Sequence, residues 1–150
     1  MDEMMNDPNR LPELMHYPSY HVRQQVAQRI DTNRLPEMMN DLSPTVRHQV
    51  AQRIDPSRLS ELMNDPYVMV RQQVAQRIDT NRLPEMVNDP YDMVRQQVAQ
   101  RIDTKYLSAI ILKYPHLTST IKSRLLVAER IAPSWLPEMI AFESAPLTPH

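Results

Sequence analysis

The sequence predicts an all-α solenoid, a stack of helical repeats, and three observations carry that prediction. The phrase VRQQVAQRID stands letter for letter at 22–31, 70–79 and 94–103, and at 46–55 with His48 in place of the first Gln. Within the phrase the apolar residues fall at helical spacing, Val70, Val74 and Ile78 at i, i+4 and i+8 with Ala75 beside them. The fourteen Pro recur at fixed positions and so punctuate structure; they do not gather in a linker. A fixed period in this range marks units that must stack on one another to bury their apolar faces.

The period is 24 residues, in four tandem units, Leu11 to Arg34, Leu35 to Arg58, Leu59 to Arg82 and Leu83 to Tyr106. Residues 1–10 open like a unit and jump to its close, a truncated first repeat. From 107 a divergent unit begins, whose VAERI at Val127 to Ile131 arrives five residues late, and Leu136-Pro137-Glu138-Met139 opens another that never completes. Degenerate ends suit a stack whose terminal units need one covered face, and Trp135 and Phe142 are expected in such a cap. One solenoid domain over 1–150 is the expectation.

Within a unit, Asp65-Pro66 precedes the apolar run. Asp is a good N-cap and Pro suits the first turn, which predicts a helix over 66–78 with Asp65 at its cap. The chain turns at Asp79-Thr80-Asn81, and Pro84-Glu85-Met86-Val87 leaves room for about one turn before Asn88-Asp89-Pro90. So short a piece suits a 3₁₀ turn held by packing.

The composition excludes several chemistries. With no Cys there is no disulfide, thiolate nucleophile, or Cys-held zinc or iron–sulfur site. With no Gly there is no Walker or dinucleotide loop, because both need close backbone approach to phosphate. No apolar run approaches the roughly 20 residues of a membrane span. The acidic start MDEMMND is unlike a secretory leader, and a cytoplasmic protein is expected. The net charge of −1 does not announce a nucleic-acid binder, although a balanced total can hide a basic face.

A unit reading L-P-E-M-M-N-D-P-Y-x-M-V-R-Q-Q-V-A-Q-R-I resembles the leucine-rich repeat variant family. The resemblance rests on Leu59 and Leu83, on Asp65-Pro66 and Asp89-Pro90, and on Val-Arg-x-x-Val-Ala at 22–27, 46–51, 70–75 and 94–99. It implies a right-handed superhelical solenoid in which each 24-residue repeat pairs a long α-helix with a short 3₁₀ or α-helix. A founding member of the family carries an N-terminal iron–sulfur module; this Cys-free chain departs from it there, so no cofactor is expected. The Asp-Pro-x-x-x-Val-Arg string is also similar to HEAT repeats, whose units run to about 40 residues or more.

The four units can be compared inside one chain. Leu11/35/59/83/107, Val22/46/70/94, Val26/50/74/98, Ala27/51/75/99 and Ile30/54/78/102 are identical between units and are expected to form the stacked core. Arg23, Arg47, Arg71 and Arg95 form a column, six residues after Asp41, Asp65 and Asp89 in three units. That spacing suits a ladder of Arg–Asp pairs within or between units, lacking a rung where Tyr17 replaces the Asp. Arg29/53/77/101 with Asp31/55/79/103 suggests the same near the helix end. Residues 11–106 hold twelve basic and twelve acidic side chains, which favours pairing. The alternative is a face of exposed Arg23, Arg47, Arg71 and Arg95 offered to phosphate or an acidic partner.

The units disagree just after the helix-opening Pro, at Ser19-Tyr20-His21, Ser43-Pro44-Thr45, Tyr67-Val68-Met69 and Tyr91-Asp92-Met93. A first-turn position that nothing touches tolerates many residues. A fixed frame with one varied triplet is also what a modular binding surface looks like, and Tyr and Met favour interfaces. Tyr20, His21, Tyr67, Met69, Tyr91 and Met93 are therefore the candidate contacts.

No catalytic constellation stands out. His16, His21, His48, His116 and His150 form no column, and His16 and His21 lack a matching carboxylate motif for a metal. The Glu13/37/61/85 column reads as solvated acids at the start of the short helix. The sequence thus points to a non-enzymatic scaffold that binds another protein, with nucleic-acid binding or self-assembly into a homo-oligomer as alternatives and no membrane partner.

Overall fold

A computed structural model of the chain describes residues 2–107 and Lys113. The expected C-terminal units and the Trp135 and Phe142 cap lie outside the described residues. The chain divides into two compact units, Met1–Asp79 and Thr80–His150. In the first, α1 (Asp2–Asn6), α2 (Tyr20–Arg29), α3 (Pro44–Arg53) and α4 (Val68–Arg77) alternate with 3₁₀ helices at Leu11–Leu14, Thr32–Met38 and Pro56–Leu62. In the second, a 3₁₀ helix at Thr80–Met86 is followed by α5 (Asp92–Arg101) and a 3₁₀ turn at Thr104–Tyr106. The fold is the all-α solenoid of 24-residue repeats, each an α-helix plus a 3₁₀ helix.

The α-helices begin two residues later than the Asp-Pro signal predicts. The N-cap residues are Ser19, Ser43, Tyr67 and Tyr91, all in extended backbone, and none of their side chains caps the helix. Asp65 acts one step earlier. Its carboxylate accepts the Tyr67 N–H at 3.0 Å, and Asp41 and Asp89 accept from Ser43 and Tyr91 at 2.9 and 3.0 Å. These Asx turns aim the chain into the helix, and in the first unit they leave the Asp41 and Asp65 side chains within reach of Arg23 and Arg47 of the preceding repeat.

A chain without Gly must also leave its helices without a left-handed residue, and no described residue has positive φ. The exit is a switch straight to extended backbone at Ile30, Ile54, Ile78 and Ile102. The Ile N–H still closes the last α turn, at 2.8 Å in all four helices, while its side chain stays in the core. The next residue caps the 3₁₀ helix, with Asp31, Asp55 and Asp103 accepting the N–H two residues on. The 3₁₀ segments are longer than the single turn expected. The turn after the α-helix, Asp31-Thr32-Asn33 or Asp55-Pro56-Ser57, is itself a 3₁₀ turn, closed by Arg34 and Arg58 N–H groups on the Asp31 and Asp55 carbonyls at 2.9 Å.

The invariant columns are the core. Leu35, Leu59, Leu83, Val46, Val70, Val94 and every Ala of its column are fully buried. Val22 is the exception and is half-buried; ahead of its helix the described residues hold only the short α1 and the 3₁₀ helix at Leu11–Leu14. Met15, Met38, Met39, Leu62, Met63 and Met86 join the core from the 3₁₀ segments. Unbranched thioethers fill the irregular space beneath a tight helix that Leu alone leaves uneven. In the first unit α3 packs on both α2 and α4, and α2, α3 and α4 each lie on the 3₁₀ helix before them; in the second, α5 lies on Thr80–Met86.

Candidate functional site

The Arg columns come first, because they were candidates for phosphate. Arg47 is buried, and its Nε and Nη2 donate to the Asp65 carboxylate at 2.7 and 3.3 Å while Nη1 donates to the Asp41 carbonyl at 2.6 Å. Arg23 does the same with Asp41, at 2.9 and 3.2 Å, and with the Tyr17 and Pro18 carbonyls at 2.7 and 2.9 Å. Each Arg in these two rungs therefore reaches eighteen residues forward to a carboxylate and six back to a carbonyl. Tyr17 costs Arg23 nothing, because the column supplies a backbone oxygen there whatever its side chain. Arg71 and Arg95 are buried as well and donate to the Asp65 and Asp89 carbonyls, and Arg95 also pairs with Asp92.

In the second Arg column the hydrogen bonds of Arg29, Arg53 and Arg77 go to backbone carbonyls, and the charges of Arg77 and Asp55 also interact. Arg53 crosses to the preceding repeat and donates to the Ala27 and Ile30 carbonyls, both at 2.7 Å. Arg77 donates to Ala51 and Ile54 at 2.6 and 2.9 Å, and Arg29 to Met5 at 3.3 Å. The carbonyls at the end of α2 and α3 lack intrahelical donors, and a cation suits the negative end of a helix. Each Arg thus caps the helix before its own. Burial holds the Arg77 pKa below its ordinary value, with Asp55 opposing that shift.

A third set of pairs lies in the open. Arg34–Glu37, Arg58–Glu61 and Arg82–Glu85 are bidentate i,i+3 pairs on the 3₁₀ helices, with Arg34 and Glu37 meeting at 2.8 and 3.1 Å. The hydrogen bond from its Arg holds each of these Glu carboxyls below the ordinary range.

The varied triplets are mostly exposed, with Ser19, Ser43, Pro44 and Val68 partly covered. Tyr20, Tyr67, Met69, Tyr91 and Met93 are exposed large apolar side chains, with 52% of Tyr67 and of Met69 accessible, and His21 is exposed beside Tyr20 with ring centroids 4.1 Å apart. Tyr67 is braced from below, since the Arg47 guanidinium lies 5.5 Å from its ring centroid, and Arg47 is itself fixed by Asp65.

Tyr67 and Met69 also wall a groove of about 330 Å³ across the first turns of α3 and α4, closed by Pro44, Thr45, His48, Val70 and, from α2, Gln24. That is the lower end of the range for ligand pockets. Thr45, His48 and Gln24 were not among the candidate contacts. The available signal was that the second repeat departs from its siblings here, with Pro44, Thr45 and His48 where the third has Val68, Met69 and Gln72. His48, read as a chance surface residue, is half-buried in the groove wall, and burial lowers its pKa.

One solved structure superposes on the chain with a TM-score of 0.76 over 94% of its length, at 28% sequence identity. It is described as a leucine-rich repeat variant with a novel repetitive protein structural motif. The fold is that of a leucine-rich repeat variant. The chain spans 63% of the length of that leucine-rich repeat variant. No family model matches the sequence, and no curated protein does.

Two other concavities belong to the same repeat geometry. One, of about 470 Å³, lies between Met15–Pro18 and Glu37–Leu42 and is floored by the Arg23–Asp41 pair. The other, of about 370 Å³, lies between Thr80 and Tyr106 and includes Arg101 and Asp103. Among the described residues no cluster of His, Asp and Glu has the make-up of a metal site, and no helix is long and apolar enough to cross a membrane.

Proposed function

We propose that this chain is a non-enzymatic repeat scaffold that binds a segment of another protein along the exposed first turns of its α-helices, in the cytoplasm. One observation carries the reading. Just after the helix-opening Pro, where the repeats stop agreeing, Tyr20, Tyr67, Met69, Tyr91 and Met93 are exposed, and two of them, Tyr67 and Met69, wall an apolar groove. Aromatic and Met side chains on a rigid base are the usual material of protein interfaces. A helical repeat stack offers such a base, because binding residues can vary without touching the core.

Phosphate binding along Arg23, Arg47, Arg71 and Arg95 has less support, since these guanidinium groups turn inward to carboxylates and carbonyls. Self-assembly would use the same exposed apolar side chains, with a second copy as the occupant.

Selection of a phage-displayed random peptide library on the immobilised chain tests the proposal. The expected result is enrichment of apolar peptides by the native chain and none by the Tyr67→Ala/Met69→Ala variant. Equal enrichment by both, or none by either, overturns it.

A further inference from the structure

Three departures of the second repeat converge on the groove. Where the other repeats carry His21, Met69 and Met93, the second carries Thr45, the smallest of the four, and the missing bulk leaves room for the groove. Where they carry Gln24, Gln72 and Gln96, it carries His48. Where they open α2, α4 and α5 with Tyr20, Val68 and Asp92, it opens α3 with Pro44. Core columns do not drift in this coordinated way.

The lining chemistry is specific. A Pro ring, the Met69 thioether, the Tyr67 ring and the His48 imidazole are surfaces on which an aromatic ring packs well. The volume suits one large side chain. The surrounding charge is spent. On the same helix Arg47 is tied to Asp65. From α2, Arg23 is tied to Asp41; from α4, Arg71 is tied to the Asp65 carbonyl; from the Thr32–Met38 helix, Arg34 and Glu37 are tied to each other. Tyr67 is the other titratable group in the wall. Nothing there compensates a charged occupant, whereas an uncharged ring leaves every pair intact.

We propose that the groove is a subsite for an uncharged aromatic side chain of a partner segment, seated against the His48, Tyr67 and Met69 side chains. This rests on the protein-binding reading of the exposed first turns.

N-acetyl-L-tryptophanamide is a suitable uncharged probe, titrated into the full chain while the Met69 methyl and His48 ring resonances are followed by NMR. At about pH 8 both are expected to shift together, with half-saturation on the order of a millimolar. Thr45→Met fills the groove with its siblings' side chain and should abolish the shifts, with circular dichroism unchanged. If Thr45→Met leaves the shifts in place, or the native chain shows none, the subsite is refuted, while the peptide selection still decides the binding reading.

Discussion

Two sets of Arg–carboxylate pairs repeat along the chain with nearly the same geometry and different surroundings. Arg47–Asp65 joins adjacent repeats from inside, with 10% and 4% of the two side chains accessible. Arg58–Glu61 sits within one 3₁₀ helix, with 45% of each side chain in water. Drawn as contacts they look alike. They differ in the cost of removing one partner, since a buried guanidinium left alone has neither water nor carboxylate. Exposed pairs gain little, because solvent and salt screen them and two long side chains must be held still.

The largest break in this comparison is Asp65→Ala. It strands Arg47 and removes the acceptor for the Tyr67 N–H, and an expected loss of about 3–5 kcal/mol should appear as a lower urea midpoint. The paired variant Arg47→Met/Asp65→Leu should recover much of that loss, because apolar replacement of both partners leaves no buried charge. A double variant as unstable as the single one would mean that the Asx turn at Tyr67, and not the ion pair, is the main contribution of Asp65.

Arg53→Ala comes next. It removes two charge-assisted hydrogen bonds to the end of α2, and roughly 1.5–3 kcal/mol is the expected cost. Hydrogen exchange sharpens the point, because loss of protection should concentrate at the end of α2, the helix that Arg53 caps, and not at its own α3.

The smallest effect is Glu61→Gln. At neutral pH it should leave the urea midpoint unchanged within error at ordinary salt. Its pH dependence has a fixed sign. The folded-state pKa of Glu61 lies below the unfolded one, so whatever the pair contributes is present above the unfolded value and is lost as pH falls through the folded value. Acid titration of native chain and variant should therefore diverge only on the acid side, and slightly. A large neutral-pH effect would erase the distinction between the two sets.

Much of this was legible in the sequence. The period, the core columns, the alternation of α and 3₁₀ helices and the exposure of Tyr67, Met69, Tyr91 and Met93 follow from spacing and turn chemistry. Val22 was misplaced because its column says core while its position beside a truncated repeat says otherwise. Asp65 was assigned to the helix cap because Asp is a good cap; the structure places it two residues earlier, where one side chain serves both a turn and the preceding repeat's Arg47. Arg53 was misassigned because its acceptors are backbone carbonyls, which every residue has and no side-chain pattern marks.

By itself the sequence determined which segments are helical, how often they recur and which faces meet, because those properties rest on hydrogen bonds and apolar spacing within a few residues. The tertiary structure alone decided where the charges and the groove are. Arg47 finds Asp65 eighteen residues on, Arg53 finds Ala27 twenty-six residues back, and Gln24, Thr45, His48 and Met69 meet only because successive helices stack. Stacking turns a period along the chain into neighbours across it, and the departures of the second repeat line a groove only because Gln24 stands on one side and Tyr67, Met69 and Val70 on the other.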